Sequence, residues 1–283
     1  MNAVNRALKY ALPNLSAGFK PFLQKCASAS CRPRSRFLGL PFRSEGMRIE
    51  NDWVCSPDCF EEAARDRLAQ LYSERKYGAE CRRPRMPLGL SVYSLGYITA
   101  EQLQAALEFQ RRNGGRIGEV LVSLGFATQV QITAALSAQW GHPVLSLPNR
   151  QLQVPQRIPV KLMELYSMLP IHFVTQTNKL VIGFSEFVEH RILSTIETML
   201  GCTVVPCFIT HDEFENQFQS IRMQSCNEEF VFDHPASVQE IARITRSYAW
   251  QIGAASASFG ICCDFVWSRL RNSDVAVDLL SRI

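Results

Sequence analysis

Features that mark membrane and secreted proteins are missing from this sequence of 283 residues. No apolar run approaches the ~18 to 20 residues that a transmembrane helix needs. Near the N-terminus, Pro13 and scattered polar residues interrupt the continuous apolar stretch that a signal peptide needs. We therefore expect no transmembrane segment and a cytoplasmic location.

The motifs of common enzymes are missing as well. No G-x-x-x-x-G-K-S/T occurs, so the sequence lacks the loop whose N–H groups cradle ATP phosphates. His172, His190 and His211 share no metal-binding spacing, and no Ser-His-Asp or Cys-His combination has a supporting context. We expect no catalytic residues and no enzymatic activity.

The chain also has little net charge. A balance of +4 permits an anionic small ligand or a negatively charged protein surface, but it is too weak to favour nucleic acid as a partner. The length of 283 residues exceeds the usual size of one domain, so we expect two or more modest domains.

Cysteine, in contrast, is plentiful: ten residues are spread along the chain rather than concentrated in a short disulfide scaffold. Cys26 and Cys31 are separated by four residues, and Cys55 and Cys59 by three, within DWVCSPDCFEEAARDRL. An aromatic residue, two cysteines and an acidic helix start are typical of the second ligand pair in small treble-clef zinc modules. Two interpretations stay open: a structural zinc site formed by these four cysteines, and unliganded thiols left from such a site.

Residues 87–110 and 116–139 are an internal duplication. Without a gap they share 10 identities in 24 positions, and the spacer RRNGG separates them. In each copy, apolar residues at i, i+4 and i+7 predict a short helix that a glycine ends. Thr99 and Thr128 then begin a second helix, each with a glutamine three residues on as a capping box. Each copy is therefore predicted to be a helical hairpin, and the two hairpins to form a four-helix unit.

Core packing does not account for every residue of the repeat. Arg116 begins the second copy, and its charge would be costly to bury unpaired. Gly89 and Gly118 weaken the start of a helix by up to ~1 kcal/mol relative to alanine. Glycine is expected at such positions where another body approaches the backbone closely.

The two copies, with their five-residue spacer, resemble the N-terminal domain of type II secretion and type IV pilus assembly ATPases. The resemblance covers roughly residues 87–222. In the subset of that family that senses cyclic di-GMP, each copy grips one half of the pseudo-symmetric dinucleotide. The resemblance thus implies a two-part site for cyclic di-GMP, and secretion or pilus assembly proteins as partners. The guanidinium fork of Arg116 fits guanine O6 and N7, and backbone N–H groups at helix starts suit phosphate.

The resemblance implies ligand-binding residues in both copies. In the second copy they are Arg116, Ile117, Gly118, Leu121, Val122, Gly125 and Gln139, and in the first copy Leu88, Gly89, Val92, Gly96 and Gln110.

The first copy departs from the pattern, because Pro87 occupies the arginine position and Tyr93 an aliphatic one. Losing one charged hydrogen-bonding partner costs roughly 1.5–3 kcal/mol, or about ten- to hundredfold in affinity. Arg85 lies two residues upstream and could reach the same place, although Pro84 and Pro87 stiffen the chain between them.

Beyond the repeats, periodicity predicts a short helix around Val160, a β-hairpin over MLPIHFVTQTNKLVIGFS and a helix that ends at Gly201. The strand CTVVPCFI and a helix capped by Thr210 or Asp212 follow. From Val238, one helix and two strands are predicted, weakly similar to the start of the central domain that precedes the motor in the same ATPases.

The predicted fold class is α+β: a helical-hairpin repeat unit, an α/β subdomain and a short α-β-β piece. The predicted segments are a flexible tail (1–25), a cysteine-containing segment with a helix (26–77), a linker (78–86), the duplicated hairpin unit (87–142), the α/β subdomain (143–222), a second linker (223–236) and the α-β-β piece (237–283).

Three functions remain in competition. The first is a non-catalytic module that binds cyclic di-GMP and so changes the surface it shows to a protein partner, which Arg116 favours. The second is an adaptor that docks to a secretion or pilus assembly component without nucleotide, which Pro87 favours. The third, a zinc-containing nucleic-acid-binding regulator, requires metal at the four cysteines and salt-sensitive binding.

Overall fold

The computed structural model describes residues 26–31, 46–77, 85–147, 152, 158–224, 229–234, 236–273 and 275–283. The predicted tail (1–25) and most of the predicted linker (78–86) lie outside these residues. The helices are α1 (Pro57–Tyr77), α2 (Leu88–Ser94), α3 (Ala100–Asn113), α4 (Ile117–Ser123), α5 (Gln129–Trp140), α6 (Val160–Leu165), α7 (His190–Leu200), α8 (His211–Gln224) and α9 (Val238–Gln251). The strands are β1 (Met47–Ile49), β2 (Asp52–Val54), β3 (Met168–Val174), β4 (Lys179–Phe184), β5 (Thr203–Phe208), β6 (Glu229–Phe232), β7 (Ser256–Cys262), β8 (Phe265–Arg271) and β9 (Ala276–Arg282). The predicted α+β class is confirmed.

The chain divides into two compact units. The first comprises Met1–Glu74, Phe232–Phe259 and Trp267–Ile283, and the second comprises Arg75–Val231 and Gly260–Val266. In the described part of the chain, no helix combines the length and the apolar character needed to cross a membrane.

In the second unit, the repeats form the two predicted helical hairpins, α2–α3 and α4–α5. Thr99 and Thr128 each accept a hydrogen bond from the backbone N–H three residues on, and the glutamine there accepts one from the threonine N–H. Both predicted capping boxes are therefore present. Gly96 and Gly125 follow the first helix of each hairpin with φ of 73° and 69°, the left-handed conformation that such a helix end requires. The buried centre of the four helices includes Val92, Ala106, Leu121, Ala135 and Leu136.

The rest of the second unit contains the predicted α/β subdomain. Strands β3 and β4 pair antiparallel around the predicted turn, in which Asn178 has a φ of 52°. Strand β5 returns parallel to β4 after α7, so the sheet has the order β3-β4-β5. Gly183 in β4 is tightly enclosed, since a Cβ there would lie 2.6 Å from Ile171 and 2.9 Å from Ile209. These contacts explain why a strand interior carries glycine.

A six-stranded sheet has the order β2-β1-β7-β8-β9-β6. In the first unit, the short hairpin β1–β2 is antiparallel, and β1 pairs parallel with β7, with Arg48 opposite Ser256. Strand β8 contributes Trp267, which is fully buried. The first unit is therefore assembled from segments about 200 residues apart in the chain.

Two predictions need correction in this sheet. The C-terminal piece is α-β-β-β, because β9 follows the two predicted strands. Strand β9 was not predicted because Val277 to Ser281 are all buried. A strand buried on both faces lacks the alternation of apolar and polar residues that marks a half-exposed strand. Its Asp278 is neutralised by Arg269, which donates two hydrogen bonds of 2.7 Å to the carboxylate. In addition, the predicted linker 223–236 contains strand β6.

Candidate functional site

The starts of α2 and α4 are the equivalent points of the two repeats. Arg116 is the N-cap residue of α4, with φ −92° and ψ 140°, and Pro87 is the N-cap residue of α2, with φ −55° and ψ 142°. Both residues are extended, so the copies differ at this point by a side chain rather than by the path of the backbone.

Arg116 is held by a carboxylate that the sequence analysis missed. Its guanidinium forms an ion pair with Glu186, from the loop between β4 and α7. The Arg116 side chain is 55% exposed, whereas that of Glu186 is only 16% exposed. Glu186 lies 70 residues beyond Arg116 in the chain and belongs to no periodic pattern, so no local signal identifies it as a partner.

Two equivalent hydrogen bonds link the repeats, and we call them the glutamine exchange. Gln110 at the end of the first copy donates a 2.8 Å hydrogen bond to the carbonyl of Gly115, directly before Arg116. Gln139 at the end of the second copy donates one to the carbonyl of Met86, directly before Pro87. Each predicted half-site is thus positioned by the other repeat.

The paired glycines lie where the two hairpins meet. Gly89 and Gly118 are buried, and a Cβ on Gly118 would lie 3.3 Å from Leu88 of the other copy. A Cβ on Gly89 would lie 2.8 Å from Leu103 and 3.5 Å from Ile117. The body that approaches these glycines closely is therefore the neighbouring helix, and packing alone explains both of them.

The other predicted ligand-binding residues divide by exposure. Val92 and Leu121 are fully buried and belong to the core. Leu88, Ile117 and Val122 are half-buried, and Gly96 and Gly125 are exposed at the helix ends. The accessible part of the predicted site therefore consists of Arg116, the half-buried aliphatic side chains and the backbone around the glutamine exchange.

Near Pro87 lies an aromatic side chain, Trp140, that no sequence pattern indicated as part of the site. The Arg85 guanidinium lies over the Trp140 ring, 3.5 Å from its centroid, in a cation–π contact. The Trp140 ring is 6.2 Å from that of His190, which is 6.3 Å from that of His142. Burial, together with the charges of His190 and Arg85, lowers the pKa of His142.

The four predicted metal ligands meet in the first unit. The sulfur atoms of Cys26, Cys31, Cys55 and Cys59 all lie within 4.8 Å of one another. Burial raises the pKa of Cys31 and of Cys55, and the neighbouring thiols add to the increase at Cys31. At Cys59 burial acts in the same direction, but hydrogen bonds from nearby serines and thiols outweigh it and lower the pKa.

Comparison with known proteins finds similar sequences among type IV pilus assembly ATPases. No protein-family model matches the sequence. The type IV pilus assembly ATPase PilB of Thermus thermophilus is 25% identical over 131 residues, which are 45% of this chain and 14% of the relative. PilB of Myxococcus xanthus is 31% identical over 77 residues, which are 26% of this chain and 14% of the relative. The matches thus span only a small part of these ATPases.

Solved structures similar to the chain include MshE with cdg (cyclic di-GMP), at 24% identity and a TM-score of 0.40, covering 48% of this chain and 99% of that one. A structure of the N-terminal domain of XpsE has 8% identity and a TM-score of 0.35, and covers 47% of this chain and 92% of that one. By sequence, the chain resembles pilus assembly ATPases over part of its length, as its repeats predict. The sequence relatives are, in particular, PilB proteins of type IV pilus assembly.

Proposed function

We propose that this protein is a non-catalytic regulatory module of the type found at the N-terminus of secretion and pilus assembly ATPases, and that its two repeats bind cyclic di-GMP. The absence of a G-x-x-x-x-G-K-S/T motif from the sequence supports the non-catalytic part of the proposal. A cytoplasmic location belongs to the same proposal, since cyclic di-GMP is an intracellular signal in the family that the repeats resemble.

The glutamine exchange is the observation that carries the proposal. It places the starts of α2 and α4 in equivalent settings, each fixed by the end of the opposite hairpin. A ligand made of two identical halves fits a site made of two equivalent halves, because the same contacts can form twice. Arg116 supplies a half-exposed guanidinium to one half, with the fork geometry that matches guanine O6 and N7.

The half-site at the start of α2 lacks the arginine but keeps the backbone conformation. Pro87 replaces the arginine, but the backbone at this position keeps an extended conformation like that of Arg116. Beside it, Arg85 and Trp140 form a stacked pair whose indole and guanidinium present flat faces. These groups can stack on a base, an interaction worth about 1–3 kcal/mol per base. We propose that they take over part of the role of the missing arginine.

Isothermal titration calorimetry of the full chain with cyclic di-GMP tests the proposal. Arg116→Ala should weaken binding about ten- to hundredfold, because it removes a charged hydrogen-bonding partner. Pro87→Arg should tighten binding by a similar factor, since it restores the second arginine on a backbone that already suits it. Arg112→Ala is the matched control, because it removes the same charge from an exposed position at the end of α3.

The outcomes separate clearly. Absence of binding heat with correctly folded wild-type protein contradicts cyclic di-GMP as the ligand. Equal losses in Arg116→Ala and Arg112→Ala would indicate general charge attraction and would contradict the proposed site.

An adaptor without nucleotide is the second candidate, and the exposed surface of α2 favours it. Leu90, Tyr93 and Leu95 are 47%, 46% and 44% exposed there. In the second copy the equivalent positions hold the polar Glu119 and the half-buried Val122 and Leu124. Only the first copy therefore shows three exposed apolar side chains at these positions.

Pull-down experiments with purified type IV pilus or type II secretion assembly proteins test this candidate. Tyr93→Arg should abolish capture, whereas Val130→Arg, a matched change at an exposed apolar residue of α5, should not. Equal capture by both variants and wild type would contradict docking through α2.

A further inference from the structure

A cluster of four cysteines lies in the first unit. We propose that Cys26, Cys31, Cys55 and Cys59 bind one zinc ion as a closed structural site with four thiolate ligands.

The sulfur positions fit a tetrahedral ion. All four sulfur atoms lie within 4.8 Å of one another. The sulfurs of Cys31 and Cys55 are 3.5 Å apart, and those of Cys55 and Cys59 are 3.8 Å apart. In a tetrahedral site with Zn–S bonds of about 2.3 Å, the sulfurs are about 3.8 Å apart. The thiols therefore already approximate the required geometry.

The donor set favours zinc over hard cations. Four soft sulfur ligands in tetrahedral geometry suit zinc, whereas Ca²⁺ and Mg²⁺ require oxygen ligands. The nearby carboxylate of Glu62 is already engaged, since it accepts hydrogen bonds from the hydroxyls of Ser28 and Ser30. With all four positions filled by cysteine, no open position remains for a substrate, which makes the site structural.

The second ligand pair is positioned by the start of α1. Ser56 accepts a 3.2 Å hydrogen bond from the backbone N–H of Cys59 and so caps the helix, and Pro57 occupies its first position. Cys55 therefore lies just before the helix and Cys59 in its first turn. The spacing C-S-P-D-C is set by the geometry of a helix start.

The first ligand pair lies in a short segment that reaches the same place from elsewhere in the chain. The N–H of Ala27 donates a 2.9 Å hydrogen bond to the carbonyl of Trp53. The N–H of Cys31 donates a 3.3 Å hydrogen bond to the carbonyl of Ser28, which turns the chain between the two cysteines. Glu62 joins this turn to α1 through the two serine hydroxyls. Zinc would add four bonds to these few contacts.

The site would join residues 26–31 to the β1–β2 hairpin and to α1. Metal removal should therefore loosen this region, while α2 to α5 keep their structure. The proposal is thus independent of cyclic di-GMP binding, and either can fail without the other.

Elemental analysis of the full chain, purified under reducing conditions without chelators, tests the proposal. We expect one zinc ion per chain, lost in Cys55→Ser and retained in the matched control Cys263→Ser, which changes a thiol of the second unit. Replacement of zinc by Co²⁺ should give the intense thiolate-to-cobalt absorption of tetrahedral sulfur ligation. Folded wild-type protein that stays substoichiometric after zinc is supplied, or Cys55→Ser that keeps its zinc, overturns the proposal.

A second measurement covers the case in which Cys55→Ser does not fold. Wild-type protein is stripped with a chelator and titrated with Zn²⁺ while hydrogen exchange is followed. Zinc should restore protection in residues 26–31 and 46–60 and leave residues 88–140 unchanged. Identical exchange in these segments with and without zinc contradicts a structural metal site.

Discussion

Replacing Glu186 with glutamine should tighten the binding of cyclic di-GMP about two- to fivefold. In the free protein Glu186 holds the guanidinium of Arg116, which the proposed ligand must engage instead. More than half of the arginine side chain is exposed, so water and salt screen the pair, and its contribution is roughly 0.5–1 kcal/mol. At 1.4 kcal/mol per decade of affinity, removing this competition corresponds to about two- to fivefold. Glutamine keeps the shape of the side chain and removes its charge.

Calorimetry at low and high salt is the assay. The gain in Glu186→Gln should shrink as salt increases, because ions screen a partly exposed pair. In the Arg116→Ala background Glu186→Gln should have no effect, since the competing partner is gone. Glu119→Gln, at an exposed acidic residue in the first turn of α4, is the matched control. Unchanged binding of Glu186→Gln would refute the competition, and weaker binding would show that the carboxylate instead orients Arg116 for the ligand.

Three further predictions concern stability and can be measured by urea unfolding. Gly183→Ala should lower the free energy of unfolding by about 1–3 kcal/mol, because its Cβ would lie 2.6 Å from Ile171. An unchanged urea midpoint would contradict the packing described for β4. Asp278→Asn should lower the free energy of unfolding by about 3–5 kcal/mol, because it removes the charge that compensates the buried guanidinium of Arg269. The control Asp264→Asn, at an exposed aspartate, should change it little, and similar losses in the two variants would contradict this reasoning. Burial and nearby charges lower the pKa of His142, so the unfolded chain binds a proton there that the folded chain does not, and stability should decrease as pH falls below about 6.5. His142→Gln should lessen this decrease, and equal slopes would contradict it.

Local signals predicted most of the second unit. Helix ends depend on residues three or four positions apart, so Thr99 with Gln102 and Thr128 with Gln131 could be identified without knowledge of the fold. The β3–β4 hairpin is equally local, since its turn lies between two apolar runs. The duplication adds a second example of each signal.

Contacts between distant segments could not be predicted in the same way. Strands β1 and β2 have only three residues each, too few to show an alternating pattern, and the second neighbour of β1, strand β7, lies about 200 residues further along the chain. Strand β9 is buried from Val277 to Ser281 and shows no alternation there. In the candidate site, nothing in the sequence around Glu186 distinguishes it from a glutamate on the surface. Only the fold brings it to Arg116.

Several residues predicted to bind the ligand have structural roles that the sequence did not indicate. The family resemblance assigns Gln110 and Gln139 to the ligand, whereas in the structure each one donates a hydrogen bond to the start of the opposite repeat. Gly89 and Gly118 were predicted to allow a close approach, and the side chains nearest to them are Leu103 and Ile132 of their own hairpins, with the other hairpin next. Repetition in the sequence identifies positions under a shared constraint, but it does not show which residue or ligand each position contacts.

The glutamine exchange makes the two hairpins mutually dependent. A fragment that carries one hairpin would keep its helices' own caps but lose the hydrogen bond that sets the start of its first helix. Once the duplication existed, therefore, neither copy could be deleted or exchanged alone without disturbing the other. The exchange tolerates a change of side chain at the start of α2, such as Pro87, because both glutamines bond to backbone carbonyls.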